Sequence, residues 1–176
     1  MKATRIFSIL ALCIITSLQS FAQNANLKKV SDDNWIEYLV PSFMNDVTHY
    51  GNNFSPHFTR YDFESRDKKV KIYVLLNNSV NISPMMDFTF KINERYLADI
   101  NDKDIMVDYK LLKQDKYFVS GNLKNGNILY KFCYVKTGYG YTYSIEYDRS
   151  YKVFFDKNLN DIIKGFKILW GITQYK

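Results

Sequence analysis

The chain has 176 residues, 24 basic against 18 acidic side chains, a formal charge of +6, two cysteines and two histidines. That length supports one domain with a real core rather than two. The lysines are scattered and interleaved with acids, which excludes the concentrated basic patch that nucleic-acid binding needs.

Lys2 and Arg5 precede an almost uninterrupted apolar run from Ile6 to Ile15, and Ser20-Phe21-Ala22 sets small residues at the −3 and −1 positions of a signal-peptidase site. The run is too short for a permanent span, which takes about 20 residues. The expectation is a cleavable signal peptide over 1–22, cut after Ala22, and a mature domain over 23–176. That domain is expected in the periplasm or secreted, with no transmembrane anchor after cleavage. Cleavage removes two cations and no acids, so the net charge falls to +4. Cys13 leaves with the signal. Cys133 is then alone, no intramolecular disulfide forms, and burial as a small hydrophobe is expected.

Residues 23–34 read as a polar lead-in. Trp35 to Val40, stopped by Pro41, reads as a first strand or turn against the core. Residues 44–60 are rich in Asn, His, Gly and Pro and read as loop, with a short strand near Phe58 to Phe63. Val70 to Leu76 has strand character after the charged turn Ser65 to Lys69. Ser83 as N-cap and Pro84 at the first helical position predict a helix over 84–99, carried by Met86, Phe90, Leu97 and Ile100 at helical spacing.

Ile105 to Leu111 alternates as a strand with one wet face. Tyr117 to Ser120 is another, and Gly121 to Gly126 is expected to close a hairpin into Ile128 to Val135. That last strand is apolar on both faces, so the sheet should be covered on both. In Tyr141 to Tyr147 the odd positions point one way and Thr142, Ser144 and Glu146 the other. Leu159, Ile162, Ile163, Phe166, Leu169 and Trp170 follow 3.6-residue periodicity and predict a terminal helix ended by Gly171. The expected core is Phe132, Tyr130, Val119, Ile72, Val74, Ile162, Phe166 and Leu169.

Chemistry-bearing motifs are absent. His49 and His57 lack metal-ligand spacing, and no nucleophile elbow, phosphate loop or dinucleotide fingerprint occurs. No catalytic residue, metal ligand or cofactor is therefore assigned. Eighteen acids always permit a carboxylate pair in space, but spacing singles none out. The oddity is tyrosine: 15 in all, six between Tyr134 and Tyr151. Alternate tyrosines lining the packed face of the sheet explain most of them. Tyr139 and Tyr151, at turn positions, are the candidates for exposed contact residues.

Residues 105 to 167 resemble the C-terminal part of the PsbP-like family. The matching stretches are Val107-Asp108-Tyr109-Lys110, Tyr117-Phe118-Val119-Ser120-Gly121, Ile128-Leu129-Tyr130-Lys131, Tyr143 to Tyr147, and Asp161-Ile162-Ile163-Lys164-Gly165-Phe166-Lys167. Asp148 stands where the family pattern has Pro, and Gly165 where it has Ser. The resemblance implies an α+β fold: an α/β/α sandwich with a central antiparallel sheet and a C-terminal helix packed on it. The family includes an extrinsic photosystem subunit, a nuclear import factor that binds a small GTPase, and exported bacterial proteins. It therefore implies a non-catalytic accessory role through an unidentified protein partner in the envelope. The competing expectation is a small exported hydrolase or glycan-binding accessory using the tyrosine-rich region 134–151.

Overall fold

The computed structural model describes residues 26–32, 36–51, 58–78, 85–136 and 139–169; the expected signal peptide, His57, Ser83, Pro84 and Trp170 lie outside them. Among the described residues ten strands and two helices follow one another: β1 (Leu27–Asp32), β2 (Ile36–Pro41), β3 (Met44–Gly51), β4 (Phe58–Ser65), β5 (Val70–Asn78), α1 (Met85–Ile100), β6 (Ile105–Leu112), β7 (Lys116–Leu123), β8 (Ile128–Lys136), β9 (Tyr139–Tyr147), α2 (Lys152–Gly165) and β10 (Lys167–Ile168). A single 3-10 turn, Arg149–Tyr151, leads into α2. β3-β4-β5-β9-β8-β7-β6 form a seven-stranded sheet and β1-β2-β10 a three-stranded one, with every pairing antiparallel.

The alternation in β8 and β9 works as the sequence predicts. Tyr141, Tyr143, Ile145 and Tyr147 are essentially inaccessible, and with Phe132, Ile72 and Val74 they form the main core. Covering that face are Ile36, Tyr38 and Val40 of β2 and Phe155 and Ile162 of α2. The rings of Tyr147 and Phe155 stack at 4.2 Å, and the Tyr143 hydroxyl donates to the Leu39 carbonyl at 2.6 Å, tying the large sheet to the small one. On the opposite face α1 packs on β6, β7 and β8, where Ile92, Tyr117, Val119 and Cys133 make a second, smaller core. The α/β/α sandwich is therefore present, with the small sheet sharing the second layer with α2.

Four expectations need correction. Residues 27–32 are not a lead-in: they pair with β2 over six positions, a register that backbone hydrogen bonds set without apolar alternation. Residues 44–51 are strand, paired with β4 across a bulge at Val47. Gly121 is inside β7 rather than in the turn, which is confined to the segment after Leu123. Finally, α2 starts at Lys152 and stops at Gly165, because Phe166 is extended (φ −77°, ψ 111°) and Lys167 and Ile168 add to the edge of β2. The expected core divides accordingly. Val119 belongs to the cluster under α1, while Tyr130 and Phe166 are partly buried against the main core. Leu169 is half-buried.

Candidate binding surfaces

Coverage of the large sheet is staggered. One face is covered by α1 at its β6–β8 end, and the other by α2 and the small sheet at its β3–β9 end. Two half-faces are left, and they differ in chemistry.

The first is a cleft of about 500 Å³ beside α1, floored by the outward residues of β4, β5, β8 and β9. Strand register puts Asp62, Tyr73, Ser144 and Lys131 in one row across four strands, and Glu64, Lys71, Glu146 and Leu129 in the next. Asp99 of α1 closes one wall: Tyr117 Oη donates to its Oδ2 at 2.7 Å and Lys131 Nζ to its Oδ1 at 2.6 Å. Burial pushes the Tyr117 hydroxyl well above its usual range, so it remains a donor. For Lys131, burial works against the charge, but Tyr73 and Asp99 outweigh it and hold the ammonium protonated. Arg60 grips Asp62 through Nε and Nη2 at 2.7–2.9 Å and lies 4.9 Å above the Tyr73 ring. Asn125 and Asn127 donate to Glu146 Oε1 at 3.2 and 2.7 Å.

The second half-face is aromatic. From the core a row of rings runs outward: Tyr147 to Tyr130 at 6.0 Å, Tyr130 to Phe118 at 6.0 Å, and Phe118 to Tyr109 at 5.7 Å. It emerges at the β6 edge, where Tyr109 is 52% and Met106 68% exposed. Met106 lies opposite Asn122 and Tyr109 opposite Ser120, on the Phe118 face of β7.

The two sequence-predicted contact residues are not brought together. Tyr139 opens β9, paired with Asn78 and Lys136, and Tyr151 follows its far end, so the nine-residue strand holds them about 27 Å apart along its axis. The Tyr139 side chain lies outside the described residues. Tyr151 is half-buried; its hydroxyl donates to Asp67 at 2.9 Å and its ring sits 5.3 Å from Phe43. Of the remaining tyrosines in 134–151, Tyr141, Tyr143 and Tyr147 are buried and Tyr134 stacks on Phe166 at 5.9 Å, so the region is packing rather than an open platform. His49 lies in β3 opposite Tyr61. Cys133 is fully buried and burial raises its thiol pKa, which leaves it no nucleophile at neutral pH. Among the described residues no group of three or more His, Cys, Asp or Glu is placed to hold a metal ion, and no helix is long and apolar enough to cross a membrane.

Sequence reasoning missed both half-faces. The cleft draws on β4, β5, β8, β9 and α1, segments that no local spacing connects. The aromatic row did leave a signal, in Tyr109 and Met106 on a strand expected to have one wet face.

No protein-family model matches the sequence, and no curated protein matches it. The structure is similar to the solution structure of cyanobacterial PsbP (CyanoP) from Synechocystis sp. PCC 6803, with a TM-score of 0.51 and 12% identity over 84% of this chain and 95% of that one. The fold is PsbP-like.

Proposed function

We propose that this chain is an exported, non-catalytic accessory protein of the bacterial envelope that acts by contact with another protein. The observation that carries the reading is the aromatic half-face at the β6 edge. Met106, Tyr109 and partly buried Phe118 and Tyr130 give a rigid centre of the residue types that concentrate binding energy at protein interfaces. A polypeptide partner presenting an apolar side chain to that row fits it. Export rests on the 1–22 segment, and the protein acts after cleavage at Ala22. The acids of the cleft support the non-catalytic part: Asp99 and Asp62 are held in ion pairs.

The test is affinity capture from envelope extract with the 23–176 protein and with Met106→Asp/Tyr109→Asp and Tyr151→Ala variants. One stoichiometric partner, lost with the β6 double variant and kept with Tyr151→Ala, supports the reading. Turnover on a glycan or ester panel without any captured partner overturns it.

A further inference from the structure

The cleft beside α1 is electrostatically unlike the rest of the molecule. Five carboxylates line it against Arg60, Lys71 and Lys131, in a chain whose overall charge is +6. Two of the five are neutralised internally, Asp99 by Lys131 and Asp62 by Arg60. Glu64, Asp102 and Glu146 then stand against exposed Lys71 alone.

Glu146 is fixed but not neutralised. Both amides that hold it, from Asn125 and Asn127, donate to Oε1, and Oε2 accepts no hydrogen bond among the described residues. Two positions earlier on the same face of β9 is Ser144, a cleft-lining residue only 3% exposed. Its hydroxyl makes no hydrogen bond to a described residue and opens on the cleft, where a ligand group or water can complete it. Directly beside this pair the wall turns apolar: Leu129 lies opposite Glu146 across β8 and β9, and Ile105 opposite Leu123 across β6 and β7.

We propose that this cleft binds a primary alkylammonium group. The ammonium donates to Glu146 Oε2 and Ser144 Oγ, with Glu64 adding long-range attraction, and the carbon arm lies along Leu129, Leu123 and Ile105. A compact cation with three donors and an aliphatic stem matches a carboxylate and a hydroxyl at the end of an apolar wall. A metal ion does not fit, since the acids do not converge. The group could come from a free diamine or from the lysine side chain of a polypeptide, and the chemistry at the site is the same.

The experiment is isothermal titration at pH 7 and low ionic strength, where charge attraction is least screened. The probes are 1,5-diaminopentane, N-acetyl-lysine-N-methylamide and the uncharged 1,5-pentanediol. Saturable one-site binding of either amine without binding of the diol is expected; tighter diamine identifies a free amine as the source, and tighter blocked lysine a polypeptide. Loss of one hydrogen bond to the charged head weakens binding roughly tenfold, so Glu146→Gln and Ser144→Ala should each do so. Val153→Ala, at an 82% exposed position on α2, leaves it unchanged. Failure of both amines to saturate, equal binding of the diol, or undiminished affinity in Glu146→Gln and Ser144→Ala proteins with unchanged urea midpoints overturns the proposal.

Discussion

Replacing Asp99 by Ala tests what fastens α1 to the sheet. Asp99 and Lys131 are only 14% and 19% exposed, and the Tyr117 hydroxyl donates to the same carboxylate from a residue 2% exposed. Breaking a fully buried ion pair by removing one partner costs about 3–5 kcal/mol, because the other charge remains uncompensated. With part of both side chains still in water, about 2–3 kcal/mol is the fairer figure, and stranding the tyrosine hydroxyl adds about 1 kcal/mol. The expected loss is about 3–4 kcal/mol, read as a lower urea midpoint by far-UV circular dichroism and a melting temperature lower by roughly 6–16 °C. The sharper half of the test is compensation. Asp99→Leu with Lys131→Met and Tyr117→Phe removes every group that needs a partner and should come within about 1 kcal/mol of wild type. A loss under about 1 kcal/mol for Asp99→Ala, or a triple variant as unstable as the single one, refutes the reasoning.

Gly121→Ala should cost about 2–3 kcal/mol by chemical denaturation: a Cβ there would meet the Met106 carbonyl oxygen at 2.3 Å, and neither backbone can rotate away. Phe166→Ala should cost about 3 kcal/mol in the same assay, since the ring packs edge-on against Phe132 at 5.7 Å and Tyr143 at 6.2 Å. Acid should loosen the turn that leads into β5. The Asp67 carboxyl is held below its ordinary value of 3.8, first by the Ser65 hydroxyl and then by the Lys69 amide and Tyr151. A depressed folded-state pKa means stability present above about pH 4 and lost as pH falls further. Asp67→Asn should therefore flatten the dependence of melting temperature on pH between about 4 and 2 and leave it unchanged near pH 7.

The strands visible in the sequence are those that bury at least one apolar face. β5 and β9 alternate because Ile72 and Tyr143 must enter the core while their neighbours face the cleft, whereas β8 is apolar on both faces because Phe132 enters the main core and Cys133 the one under α1. β1 and β3 were opaque for the opposite reason: as edge strands they are held by a single neighbour, and Lys28, Lys29, Asn45 and Asp46 carry no pattern. The end of α2 misled because Phe166 and Leu169, which flank β10, happen to keep the helical period. The PsbP-like stretches proved to be packing devices. Ser120-Gly121 is the clearest, since Gly121 lies opposite Val107 where the bulge in β6 brings the two backbones together. Neither the ion-paired cleft nor the aromatic row could be located beforehand, because each is created by strand order, with β9 inserted between β5 and β8.

That the small sheet is assembled from both extremities of the described chain constrains when folding can finish. β2 receives β1 from its own neighbourhood, but its other edge stays unpaired until Lys167 and Ile168 arrive opposite Glu37 and Ile36. The Leu39 carbonyl likewise waits for Tyr143. Emerging from a ribosome, the leading segment has no finished layer to join, and contacts so distant in sequence form slowly. A polypeptide wired this way closes its second layer only once its last strand has been made.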